Sequence, residues 1–323
     1  MIRIILIAVA VVIALILLIL ISYLVSTVIA SRCVFFATLE RRIKKEKGRI
    51  IPIVNERTLK MDEIGQVWQK KHNEYKKDVH IVNNDGFNLY GEYYDLGYDR
   101  TVIILSGRTE SLRYGYYFAK PYTDGGYNVL VIDSRAHGYS DGKYITAGFE
   151  ESKDALAWTR FLNETYGMDK IIYHGICIGA ASGMLAITSP DCPDCVKGIV
   201  TDGMFANFWA SMKNHLIEVK KLFFPVMECI DFWFKLHTGH TMRKGPIDVI
   251  HKMDKPILMI QSKKDKYSSV ENAIKMFGMC PSTEKKLVLY EEGDHSMLRL
   301  TDTEKYDTEI GLFLKRLDST YTK

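Results

Sequence analysis

Ile171-Ile172-Tyr173-His174-Gly175-Ile176-Cys177-Ile178-Gly179-Ala180-Ala181-Ser182-Gly183 is the stretch on which the reading of this chain turns. It runs from an apolar, strand-forming segment through Gly-x-Cys-x-Gly into small residues suited to open a helix. A nucleophile held at so sharp a strand-to-helix turn occupies strained backbone, and glycines two positions to either side remove the steric conflict. The helix N-terminus that follows adds positive potential, which favours a thiolate or a developing oxyanion. Five residues of this kind recur by chance. Their position between a strand and a helix, midway through a βα series, is what gives them weight. The plain alternative is a structural cysteine at a tight turn, since free cysteine is commonly core.

Working outward, the chain from Thr101 alternates short apolar strands with helix-length segments. The strands are expected at Thr101–Leu105, Asn128–Ile132, Lys170–Tyr173, Gly198–Thr201, Ile257–Gln261 and Lys286–Tyr290. Helices are expected at Glu150–Tyr166, Ile178–Ile187, Val270–Met279 and Lys305–Leu317. Upstream, Val79–Val82 and Phe87–Tyr94 flank the turn signal Asn83-Asn84-Asp85-Gly86 and read as a hairpin. The pattern predicts an α/β fold with a mostly parallel, eight-stranded sheet and helices on both faces. The interval Met204 to Met253 is too long for one crossover helix. Its aromatic and apolar residues, among them Trp209, Leu216, Leu222, Phe223, Phe224, Phe232, Trp233 and Phe234, fit a small helical cap inserted over the sheet's C-terminal edge.

The other end of the chain supplies an address. Ile4 to Ile21 are eighteen consecutive apolar residues, and a mixed stretch extends them to Ala30. At about 1.5 Å per residue, residues 4–29 reach roughly 39 Å, more than a hydrocarbon core of about 30 Å. A signal-peptide core is shorter and is followed by a small-x-small cleavage site, which is missing here. One membrane-spanning helix is predicted. The basic run Arg41-Arg42-Ile43-Lys44-Lys45-Glu46-Lys47-Gly48-Arg49 outweighs Arg3, which places the globular part on the cytoplasmic side. Three regions follow: an anchor over 1–38, a basic linker with an amphipathic helix over 39–78, and the α/β domain over 79–323. In that helix, Thr58–Lys77, Leu59, Ile64, Val67 and Trp68 fall near one face. It reads either as a stalk or membrane-surface helix, or as one packed on the domain edge.

Composition excludes several classes. The formal charge of +4 is small and concentrated in the basic run, with no recurring aromatic-basic surface, so nucleic acid is excluded as a partner. The six cysteines form no dense framework of the kind small secreted domains need, which suits a reduced, cytosol-facing compartment. Cys192-Pro193-Asp194-Cys195 follows a helix rather than opening one, against a redox role, and no second pair completes a zinc site. His237-Thr238-Gly239-His240 lacks a third ligand. With no Gly-rich phosphate loop or dinucleotide fingerprint in context, no cofactor and no metal are expected.

Four further motifs accompany the Cys177 turn in order: Ser106-Gly107-Arg108-Thr109-Glu110-Ser111, Asp133-Ser134-Arg135-Ala136-His137-Gly138-Tyr139-Ser140, Gln261-Ser262-Lys263-Lys264-Asp265, and Gly293-Asp294-His295. Together they make residues from about Val79 to Leu317 resemble the α/β-hydrolase superfamily, most closely its monoacylglycerol-lipase and lysophospholipase-like branch and membrane-anchored bacterial relatives. Members of that superfamily usually carry serine at the elbow. Cys177 departs from this, as in dienelactone hydrolases, some polyester synthases and certain acyl-CoA acyltransferases.

The resemblance implies a nucleophile, acid and histidine in that chain order. It assigns Cys177 as nucleophile, Asp265 as acid with Asp202 as fallback, and His295 as base. Asp294, adjacent to His295, is poorly placed to grip its ring. The oxyanion donors are expected to be the backbone N–H groups of Ile178 and Arg108. Arg108 and Glu110 are read as contacting a polar portion of the substrate or pairing with each other, and Arg135 and His137 as bracing their loop. The expected function is cleavage of an ester or thioester through an S-acyl-enzyme, on a small acyl substrate with lipids among the candidates. The rivals are acyl transfer from the same intermediate and a tethered binding protein that has lost turnover. Acyl length, acceptor, protein partners and oligomeric state are not encoded legibly.

Overall fold

The computed structural model describes residues 1–41, 56–218 and 224–321. The chain runs through α1 (Ile2–Leu39), α2 (Glu56–Lys71), β1 (Lys76–Val82), β2 (Asn88–Tyr94), β3 (Arg100–Leu105), α3 (Leu112–Asp124), β4 (Asn128–Ile132), α4 (Phe149–Tyr166), β5 (Lys170–Ile176) and α5 (Ile178–Ile187). It continues through β6 (Val196–Asp202), α6 (Phe208–Glu218), α7 (Val226–Thr238), α8 (Pro246–Val249), β7 (Ile257–Ser262), α9 (Val270–Met279), β8 (Lys285–Tyr290), α10 (Leu298–Thr301) and α11 (Thr303–Tyr321). All eight strands form one sheet in the order β1-β2-β4-β3-β5-β6-β7-β8. β2 runs antiparallel to both β1 and β4, and the remaining neighbours are parallel.

The central strands are apolar along their whole length because both faces are covered. On one face Val102, Ile104, Val129 and Val131 meet Phe118 of α3, Tyr306 and Phe313 of α11, and Met61 and Trp68 of α2. On the other, Ile103, Leu105, Leu130 and Tyr173 meet Trp158 of α4, Met184 of α5 and Met276 of α9. β3 lies between β4 and β5, so the sheet winds outward in both directions from it. The crevice beyond the C-terminal ends of strands at such a switch point is where ligands bind in open α/β sheets. Gly107 follows β3 and Cys177 follows β5, both at that crevice.

α2 is docked on the domain, although its face differs from the sequence reading. Thr58, Met61, Asp62, Gly65 and Trp68 are buried, while Leu59, Ile64 and Val67 remain exposed. Gly65 decides this. A Cβ there would lie 3.0 Å from the Tyr117 backbone nitrogen, so the helix approaches α3 on its smallest residue. Asp62 is then close enough to pair with Arg113. Of the four apolar residues grouped by periodicity, only Trp68 faces the domain.

The expected cap is built from α6, α7 and α8; Leu222 and Phe223 lie outside the described residues, as does the basic run beyond Arg41. Phe208 and Met212 of α6 and Met227, Ile230 and Phe234 of α7 form a core with Phe35 and Leu39 of α1. α1 is long and apolar enough to cross a membrane. Its last turns belong to the folded body, where Thr27, Ser31, Phe35 and Leu39 are buried.

Candidate active site

Cys177 is the residue between β5 and α5, with φ 53° and ψ −112°. A non-glycine residue in such a conformation costs on the order of 1–3 kcal/mol and persists only where its surroundings over-determine it. Here they do. Cys177 N–H donates to the Asp202 carbonyl at 2.9 Å, and its own carbonyl accepts from Ala181 N–H at 3.2 Å. Both flanking glycines are required sterically. A Cβ on Gly175 would lie 2.4 Å from Ala180 Cα, and one on Gly179 would lie 1.8 Å from the Leu105 carbonyl oxygen. The turn therefore lifts a half-buried thiol above the N-terminus of α5, whose first N–H groups have no intrahelical acceptor.

His295 and Asp265 come together from two loops. His295 Nδ1 donates to Asp265 Oδ2 at 2.7 Å. Asp265 is fixed by three other donors: Tyr267 N–H and Ser268 N–H, each at 2.8 Å to Oδ1, and Gln261 Nε2 at 3.2 Å to Oδ2. Gly203, with φ +62°, makes room for the ring, because a Cβ there would sit 3.0 Å from His295 Cε1. His295 Nε2 is buried and has no conventional hydrogen-bond partner. Burial alone would lower its pKa. The charges of Cys177 and Asp265 outweigh burial and hold His295 well above its ordinary range.

The loop after β3 is pinned on both sides of Arg108. Gly107 N–H donates to Glu110 Oε2 at 2.7 Å, and Thr109 N–H donates to His137 Nε2 at 3.1 Å. His137 Nδ1 faces the Arg135 carbonyl at 2.9 Å, which makes Nδ1 the protonated nitrogen and Nε2 the acceptor. Burial pushes His137 down and supports that neutral form. Arg135 in turn grips Asp154 through Nε and Nη2, at 2.6 and 2.7 Å. Arg108 and Glu110 do not pair with each other; the Arg108 guanidinium instead donates to the Thr38 carbonyl at 3.3 Å. The Glu110 carboxyl is pushed up to about 7 by burial, against the pull of the Gly107 bond and of His295.

Cys177, His295, Arg108 and Glu110 line one cavity of about 170 Å³, together with Thr38 of α1, with Phe208, Ser211, Met212 and His215 of α6, and with Tyr267 and Ser296. Asp202, the fallback acid, makes no hydrogen bond to His295, whose Nδ1 is taken by Asp265. It belongs to a buried chain in which Tyr122 O–H meets His174 Nδ1 at 2.8 Å, His174 Nε2 meets Tyr306 Oη at 3.2 Å, and Tyr306 O–H donates to Asp202 Oδ2 at 2.9 Å. Sequence reading missed His174, Tyr306 and the loop-pinning role of Glu110. A histidine inside an apolar strand was the one available signal. Burial lowers His174 to about 3, so it is neutral, and raises Asp202 to about 7.

That last shift has a sign that can be tested. Unfolded, Asp202 loses its proton near pH 4; folded, it keeps the proton until about 7. Between those values the native state binds the extra proton, so this group makes stability fall as pH rises, with no further loss above about 7. Asp202→Asn removes the effect. Its melting temperature relative to wild type should climb between pH 4 and 7, as thermal unfolding across that range would show. A pH-independent difference would refute the assignment.

Among the described residues no group of three or more His, Cys, Asp and Glu side chains is arranged to hold a metal. His237 stacks on Phe35 at 5.2 Å, and His240 bonds Glu150 Oε1 at 2.7 Å.

No protein-family model matches the chain. Over 241 residues it is 31% identical to YqkD, an uncharacterized protein of Bacillus subtilis, covering 73% of this chain and 78% of that protein. Among solved structures it is similar to the Pyrococcus furiosus esterase Pf2001, with a TM-score of 0.65 and 24% identity over 77% of this chain and 93% of the esterase. The Exiguobacterium antarcticum esterase EaEST superposes with a TM-score of 0.56 at 18% identity, over 74% of this chain and 100% of that enzyme. Sheet order, elbow and these superpositions agree on architecture. The chain belongs to the family of YqkD and has the α/β-hydrolase fold.

Proposed function

We propose that the chain cleaves a carboxylic ester or thioester through an S-acyl-enzyme on Cys177. The observation that carries this reading is the orientation of His295: Nδ1 is committed to Asp265, while buried Nε2 is left to act with Cys177 at the strained turn. Sγ attacks the substrate carbonyl as the thiol proton passes to, or already rests on, His295 Nε2. The resulting oxyanion is held by the N–H groups of Ile178 and Arg108. Collapse breaks the bond to the leaving alcohol or thiol, which takes the proton from His295. Water then gives a proton to His295 and attacks the thioester, releasing the acid and restoring the thiol.

The long apolar part of α1 serves as a bilayer-spanning anchor, and the basic residues following it favour a cytoplasmic catalytic domain. The reading is tested by intact-mass spectrometry of the full chain in detergent micelles, mixed briefly with short p-nitrophenyl esters and an acyl thioester. A transient acyl adduct confined to Cys177 is expected. Its decay in water alone supports hydrolysis, whereas decay only when alcohols or amines are added supports acyl transfer. With a folded sample and no adduct or leaving group from any donor, the thiol is structural and the binding reading prevails.

A further inference from the structure

α1 is longer than an anchor needs to be. Residues 2–25 are exposed on all sides and, at about 1.5 Å each, span roughly 36 Å, enough for the hydrocarbon core. The helix then continues for another fourteen residues, 26–39, with a buried stripe at Thr27, Ser31, Phe35 and Leu39. This second part lies along α7 in parallel: Trp233 Nε1 donates to Ser31 Oγ at 3.2 Å, and four residues later on both helices Phe35 stacks on His237. Its end is stitched to the loop after β4. Ile145 N–H donates to the Leu39 carbonyl at 2.9 Å, Arg41 N–H donates to the Lys143 carbonyl at 2.8 Å, and the Arg41 guanidinium takes the Gly138 and Ser140 carbonyls.

Thr38 sits in this last turn and lines the cavity that holds Cys177 and His295. Its hydroxyl is already bonded to the Val34 carbonyl at 2.7 Å, so it asks nothing polar of a ligand. Its carbonyl receives the Arg108 guanidinium, from the loop proposed to bear an oxyanion donor. We propose that the last turn of α1 is a specificity-determining wall of the catalytic cavity, with Thr38 setting the largest acyl group that fits over Cys177. The proposal rests on the reading of the cavity as an acyl site. The cavity, about 170 Å³, is lined by both Thr38 and Cys177, so the bulk of residue 38 bears on how large a group fits over the thiol. The same helix that crosses the bilayer thus sets the width of the site.

The test uses the full chain in micelles and N-alkyl iodoacetamides from methyl to octyl, with Cys177 labelling followed by mass. Thr38 lines the cavity and is half-buried, so a larger side chain there is not confined by packing on every side. Thr38→Trp is expected to leave methyl-reagent labelling within about twofold of wild type and to slow the hexyl and octyl reagents at least about tenfold. Thr38→Ala should move the cut-off to longer chains. Ala37→Trp, on the exposed neighbouring position, should do neither. Equal slowing of all reagents by Thr38→Trp, no change in cut-off in either Thr38 variant, or the same change from Ala37→Trp would overturn the proposal. Labelling is independent of turnover. A shifted cut-off in a protein that never hydrolyses an ester would retain the wall and reject the catalytic reading.

Discussion

Cys177→Ala is expected to abolish both the acyl adduct and turnover, a loss on the order of 10⁶-fold in kcat if the residue acts as a triad nucleophile. His295→Ala should cost less, about 10²–10⁴-fold, because sulfur is intrinsically nucleophilic and needs the base less than a hydroxyl does. The adduct should still form in His295→Ala, slowly, and persist longer, since water relies on the same imidazole for activation. Asp265→Asn leaves the ring nearly in place but removes the charge that stabilises the imidazolium, so its loss should approach that of His295→Ala. The double variant Cys177→Ala with His295→Ala should be no worse than Cys177→Ala alone, because the two groups act as a unit. Stopped-flow release of p-nitrophenol, with intact mass in parallel, measures all four. Full activity in Cys177→Ala would remove the covalent mechanism. Additive losses in the double variant would show that His295 acts somewhere other than on the thiol.

The parts of this architecture visible in the sequence are those that leave local marks. The elbow is written within five residues, since two glycines are needed where backbone presses on backbone. His295 and Asp265 were findable because chain order restricts which loops meet at the switch point. The remainder depends on packing between distant elements. Glu110 reaches Gly107 only because the loop folds back, and His174 is an unexceptional strand residue until Tyr122 and Tyr306 close on it. Thr38 gave no signal at all, since its place in the cavity follows from the last turns of α1 running along α7. α2 shows the converse failure. Hydrophobic periodicity grouped Leu59, Ile64, Val67 and Trp68; of these only Trp68 is buried, because the close approach at Gly65 turns the neighbouring stripe inward.

Gly179→Ala is expected to be the most damaging alanine substitution among the described glycines, and the reason lies in what the methyl would strike. The added carbon would sit 1.8 Å from the Leu105 carbonyl oxygen, 2.4 Å from Leu105 C and 2.8 Å from the Ser106 carbonyl oxygen. All three are backbone, so no rotamer change relieves the contact. Relief requires α5 to move away from β3, the strand paired on both sides with β4 and β5. The cost should exceed about 4 kcal/mol, in the range reserved for severe backbone conflict and comparable with much of the stability of a typical domain. For a domain of this size that corresponds to a fall in melting temperature of roughly 10–15 °C, or to failure to accumulate as folded protein. Gly311→Ala provides the contrast: it lies within α11 with nothing inside 4 Å of a built Cβ. There the methyl removes freedom from the unfolded chain and should add about 0.5–1 kcal/mol of stability. Thermal unfolding of the two variants beside wild type therefore separates a general intolerance of side chains at glycine positions from a conflict specific to the elbow. A Gly179→Ala protein that melts with wild type would mean that α5 can yield, and that the strained conformation of Cys177 is not held in place by close packing against β3.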